Sequence, residues 1–156
     1  MNRAMIRRSE DTEQMAVMDW VRWNMRRHPK LELLHHIPNG GSRNAAEGRK
    51  LKAMGVKAGV PDLHLPVPKA DYCGLYIELK NEDGRIQDSQ KDFLRAAARY
   101  GNYCVVCYGA DAAIAVLEDY VNLKRVNTGL RDNVPRVPNL SIIKDGRIKE
   151  IGRAHV

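Results

Sequence analysis

Two alternating runs dominate the apolar pattern. Leu63 and Leu65 form one, Leu75, Ile77 and Leu79 the other, and residues 66–74 between them hold Pro68, Asp71 and Gly74, which break a strand. This pattern predicts a β-hairpin. With the loop centred near Ala70, Asp62 stands opposite Glu78, and a period of two puts Asp62, Glu78 and Lys80 on one face with Ile77 and Leu79 on the other. His64 opposes Tyr76 on that polar face.

Helical stripes surround the hairpin. Glu13, Val17, Trp20, Val21 and Asn24 recur at helical spacing, which predicts a helix over residues 11–27 with Asp11 and Gln14 as its capping box. Glu13 falls at the core-facing end of that stripe, where an acid needs a partner or the field of the helix start. Residues 33–37 read as a short strand, ended by Pro38-Asn39-Gly40-Gly41, a loop whose amides can approach a phosphate. No Gly-Lys-Ser/Thr follows, so it is not a Walker loop.

Asn44 and Glu47 cap a second helix over residues 45–54 that stops before Gly55. It carries Arg49, Lys50 and Lys52, with Arg43 before it and Lys57 after it, a cluster suited to phosphates although a solvated surface helix looks the same. After Lys80 a polar turn precedes a helix over residues 89–100 closed by Gly101, in which Gln90, Phe93, Leu94 and Ala97 share one face. That face aims Gln90 toward the end of the Glu78 strand. A buried strand over residues 103–108 and a helix over 110–123 complete an α/β order, which implies a central mixed β-sheet flanked by helices.

The ends differ from this middle. Residues 1–9 are a basic segment with Arg3, Arg7 and Arg8, and residues 124–156 form a basic extension with Pro135, Pro138 and an Asp145-Gly146 hairpin signal. A lone hairpin is marginal in water, so this one is expected to pack on the domain or on a second subunit.

Charge then narrows the partner. Among 156 residues, 26 Lys and Arg outnumber 19 Asp and Glu for a net charge of +7, which favours a polyanion. No apolar run approaches membrane-spanning length and Arg-rich residues 1–9 are not followed by an apolar stretch, which suggests a cytoplasmic, intracellular protein. Cys73, Cys104 and Cys107 are too few for a disulfide framework, and alternation sends Cys104 and Cys107 to opposite faces of one strand, as core residues rather than a zinc or redox pair. His35 and His36 likewise diverge, and His64 reads as a packed or solvated ring before it reads as a support for the acids.

Two facing carboxylates can hold a hard divalent cation and a lysine beside them can steer a water, the minimum equipment for hydrolysing a phosphodiester. Taken alone, an Asp and a Glu-x-Lys on a sheet face are common in charged proteins. The surrounding residues are more specific. Ile37-Pro38-Asn39-Gly40-Gly41 with Arg43, then Gly55-Val56-Lys57-Ala58-Gly59-Val60-Pro61-Asp62-Leu63, then Tyr76-Ile77-Glu78-Leu79-Lys80, then Gln90 ahead of an apolar helix, resemble the VRR-NUC family of the PD-(D/E)XK nuclease superfamily. The likeness is to compact stand-alone members of phages and bacteria, and it spans residues 10–123.

That resemblance implies a restriction-endonuclease-like core and a metal-dependent endonuclease acting on DNA, branched or flapped structures included, as a homodimer in replication, repair or recombination. It implies Mg²⁺ or Mn²⁺ held by Asp62, Glu78 and the Leu79 carbonyl with Glu13 assisting, Lys80 orienting or deprotonating the attacking water, and Gln90 in the catalytic set. Asn39, Gly40, Gly41, Arg43, Arg49, Lys50, Lys52 and Lys57 are the expected DNA contacts. The competing reading is a DNA-binding module on a nuclease scaffold, without cleavage. A third, hydrolysis of a small phosphoester, would not need the basic cluster of residues 43–57.

Overall fold

In a computed structural model the structure describes residues 9–38, 44–124, 141–144 and 147–150, the last two segments by their backbone. One mixed sheet organises them. Its strands run β1 (His35–His36), β2 (Leu63–Leu65), β3 (Leu75–Lys80), β4 (Tyr103–Tyr108), β5 (Ser141–Lys144) and β6 (Arg147–Glu150), in that spatial order. β1, β2 and β3 pair antiparallel, β3, β4 and β5 pair parallel, and β6 returns antiparallel to β5.

The hairpin register follows the alternation. Leu63 pairs with Ile77, His64 with Tyr76 and Leu65 with Leu75, so Asp62, one residue before β2, approaches the Glu78 level of β3. Leu63, Leu65, Leu75, Ile77, Leu79, Val105 and Cys107 point into one core together with Val17 and Val21 of α1 (Glu10–Asn24) and Ala113, Val116 and Leu117 of α4 (Ala110–Val121). Cys104 and Val106 point the other way, onto Leu94 and Ala98 of α3 (Asp88–Arg99). The sheet is thus covered on both faces, as parallel pairing demands. Tyr120 ties α4 to the end of the hairpin loop, its hydroxyl donating to the buried Val67 carbonyl at 2.6 Å.

Local chemistry moved some boundaries. α1 begins one residue before the expected start because Ser9, not Asp11, is its N-cap: Ser9 Oγ accepts from the Thr12 amide at 3.1 Å. The expected strand over residues 33–37 shortens to His35–His36, because Leu33 ends a 3₁₀ turn, Pro29–Leu33, that runs up to it. Pro29 opens that turn, and Leu31 and Leu34, three apart, both bury from it. α2 (Ala45–Ala53) is capped by Asn44, whose side chain accepts from the Glu47 amide at 2.8 Å, and it buries none of its residues. The Asp145-Gly146 signal is flanked by β5 and β6, and β5 lengthens the central sheet alongside β4.

Candidate active site

Glu78 and Lys80 follow Tyr76 on the α3 side of β3, the face opposite Ile77 and Leu79. Both are nearly sealed from solvent, at 2% and 7% exposure. Charged groups this deep need partners. Lys80 Nζ lies 3.2 Å from Glu78 Oε1, and Gln90 Nε2 donates to the same oxygen at 2.7 Å. Glu78 Oε2 is buried and has no hydrogen-bond partner among the described residues.

Gln90 is held by its own helix. The Gln87 amide at the start of α3 donates to Gln90 Oε1 at 2.9 Å, which fixes the side-chain amide and turns its NH₂ toward Glu78. Gly59 brings that helix close. It adopts φ +82, and a Cβ there would collide with the Ser89 carbonyl and the Gln90 amide nitrogen. A glycine is therefore required on two counts, backbone conformation and space.

Asp62 is anchored at both ends. Its carbonyl accepts from the Ile37 amide at 2.8 Å and lies 2.8 Å from His36 Nδ1, while its carboxylate Oδ2 accepts from the Leu79 amide at 2.8 Å. In a strand the N–H and C=O of one residue point to the same edge, so the Leu79 carbonyl opens on the Asp62 side. Burial raises the Asp62 pKa above the usual carboxylate value, partly offset by the Leu79 amide and the Lys80 charge. Glu78 rises to about 7, through burial first and then the Asp62 charge, against the pull of Lys80. A dication would reverse both causes.

Asp62, Glu78, Lys80 and Gln90 are thus brought together, with the Leu79 backbone between the two acids. Glu13 Oε2 accepts from the Ala110 amide at 2.7 Å, at the N-terminus of α4. The α1 acid whose charge raises both Asp62 and Glu78 is Glu10. Glu10 Oε1 sits 3.4 Å from the Asn81 amide, just past the end of β3. Sequence reasoning missed it, although Glu10 lies one turn before Glu13 on the same helix face and directly follows the Ser9 cap. Among the described residues no three His, Cys, Asp or Glu side chains already converge as a metal cluster.

The other expected residues divide. Arg49, Lys50 and Lys52 are exposed on α2 and Lys57 is exposed in the loop beyond it, whereas Asn39, Gly40, Gly41 and Arg43 lie outside the described residues. His64 is packed rather than free, stacked on Tyr76 with ring centroids 4.1 Å apart and met edge-on by His35 at 5.4 Å. Burial and the His35 charge lower its pKa. Cys104 and Cys107 are buried on opposite faces and burial pushes both thiols up, as fits core residues.

A mixed sheet with helices on both faces and an Asp/Glu-x-Lys set, half-buried at Asp62 and buried at Glu78 and Lys80, at the end of a central hairpin defines a nuclease-like α/β fold. Comparison with known proteins makes the class specific. The family model for the VRR-NUC domain matches residues 3–111, and the chain belongs to that family. A solved structure described as a VRR_NUC domain protein is 32% identical, with a TM-score of 0.65 over 82% of this chain and 96% of that one. No curated protein matches. Among the described residues no helix is long and apolar enough to cross a membrane.

Proposed function

We propose that the protein is a divalent-metal-dependent DNA endonuclease selective for branched, flap or junction DNA. The observation that carries this reading is Glu78: a carboxylate with one oxygen held by Lys80 and Gln90 and the other, Oε2, buried without a partner. Leaving such an atom unsatisfied costs on the order of 1 to 3 kcal/mol, which a cation would offset.

Asp62, Glu78 and the Leu79 carbonyl form an all-oxygen donor set that fits Mg²⁺ or Mn²⁺, with Glu10 as the further α1 acid in place of Glu13. When bound, the ion supplies charge stabilisation at the phosphate oxygens and acidifies a water. Lys80, drawn to Glu78 in the resting protein, orients the attacking water through its ammonium N–H donors. Gln90 keeps Glu78 Oε1 engaged, so that Oε2 is the oxygen left to bind. Arg49, Lys50, Lys52 and Lys57, exposed on and just after α2, take the phosphate backbone together with Arg43, Asn39, Gly40 and Gly41 of the preceding sequence. A homodimer would present two such centres to a branched substrate.

Incubating the purified protein with duplex, flap and four-way-junction DNA under Mg²⁺ and Mn²⁺ tests the reading. Metal-dependent cleavage that disappears in Asp62→Asn and Lys80→Ala is the expected result. No cleavage of any substrate, with DNA retention unchanged in Asp62→Asn, would instead make the protein a binding module on a nuclease scaffold.

A further inference from the structure

Trp23 is 87% exposed, more than any other large apolar side chain described, and the Asp62/Glu78 centre makes no use of it. It stands on the last turn of α1. The His28 amide bonds the Asn24 carbonyl at 2.8 Å, which carries helical geometry past the end of α1 and puts Trp23, Arg26 and Arg27 at i, i+3 and i+4 on one face. With Arg22 and Lys30, four cations lie within residues 19–30 against the single acid Asp19.

Two of those cations already have acids. Arg22 pairs with Asp19 at 2.8 Å and Arg27 with Glu118 at 2.7 Å, but both pairs lie in solvent and exchange at little cost. Arg26 has no acidic partner among the described residues. Lys30 lies beside Lys69, whose pKa is lowered by burial and by the Lys30 charge. Two ammonium groups held together favour an anion near both.

An exposed indole with arginines three and four residues further along its helix face has a definite complement. An apolar protein surface would strip water from the cations without replacing it, and a closed duplex offers phosphates but no free base face. Unpaired nucleotides offer both. We propose that Trp23 is a stacking platform for an unpaired base of the DNA substrate, with Arg22, Arg26 and Lys30 holding the phosphates on either side. α1 starts at Glu10 beside the active acids, and Trp23 lies about 20 Å further along the helix axis. That span equals about six base steps.

This platform rests on the nuclease reading only for the choice of DNA as the polymer. The test measures binding of the full chain to labelled oligothymidylate and to blunt duplex, with divalent metal removed. Trp23→Ala is expected to weaken oligothymidylate binding roughly ten-fold, Trp23→Phe to restore most of it, and duplex binding to change less than about two-fold. Unchanged oligothymidylate affinity, or an equal loss on duplex, overturns the proposal. So does a variant that turns from dimer to monomer in sedimentation while binding oligothymidylate as before. Cleavage assays of Asp62→Asn keep the two claims apart: the platform can fail while metal-dependent cleavage stands, and Trp23-dependent strand binding can stand while cleavage fails.

Discussion

Gln90 Nε2 donates to Glu78 Oε1 at 2.7 Å, and the hydrogen bond joins the first turn of α3 to the sheet. Its effect is selective. One carboxylate oxygen is satisfied by two donors while the other is buried without a hydrogen-bond partner among the described residues, so the two oxygens of the side chain are not interchangeable.

Replacing Gln90 should therefore disturb the proposed metal site more than the fold. Gln90→Ala is expected to weaken Mn²⁺ binding and cleavage about 10- to 100-fold with little change in the circular dichroism spectrum. Gln90→Glu, which sets an anion against Glu78, should be worse. Isothermal titration of Mn²⁺ checks both, and equal affinity in all three proteins would remove Gln90 from the site.

Much of this arrangement was legible because it depends on parity. Alternation fixed the face of Glu78 and Lys80, one loop centre fixed the β2–β3 register, and helical spacing aimed Gln90 inward. Glu10 was hidden by the placement of the helix start: Asp11 and Gln14 mimic a capping box, while the cap that forms uses Ser9. The pairing of β5 with β4 was hidden for another reason. It is a contact distant along the chain, and no short-range pattern in residues 124–156 specifies its partner.

The two α1 acids should separate by experiment. Glu13 accepts the Ala110 amide, so Glu13→Gln should lower thermal stability by about 1 kcal/mol through the start of α4, with a smaller effect on metal affinity. Glu10→Gln should do the reverse, weakening Mn²⁺ binding at nearly unchanged melting temperature. If Glu13→Gln alone abolished metal binding, the assignment of Glu10 would fail.

Gly59 is the backbone seat of α3. Gly59→Ala introduces a Cβ at φ +82 against the Ser89 carbonyl, so a loss on the order of 2 kcal/mol or more is expected in chemical denaturation. Gly55 has φ +99 but open space around it, so Gly55→Ala should cost only the conformational part, about 1 kcal/mol. The ratio matters more than either value. Similar losses at the two positions would mean that α3 does not bear on Gly59.

Glu78 gives the metal-free protein a characteristic pH dependence. Its pKa is about 7 in the folded state against 4.5 ordinarily, so below 4.5 the carboxyl is neutral in both folded and unfolded chains. Between those values the unfolded chain has released the proton and the folded chain has not. Above 7 the fold must carry a buried anion. The contribution of this group to stability is therefore lost as pH rises from about 4.5 to 7, by at most roughly 3 kcal/mol. Glu78→Gln, which cannot ionise, should flatten that decline while abolishing cleavage, and Mn²⁺ should stabilise the native sequence far more at pH 8 than at pH 5. Urea titrations across this range, with and without Mn²⁺, decide it. A native protein whose metal-free stability rises over the same interval would show that Lys80 already holds Glu78 ionised, and the free oxygen would lose its significance.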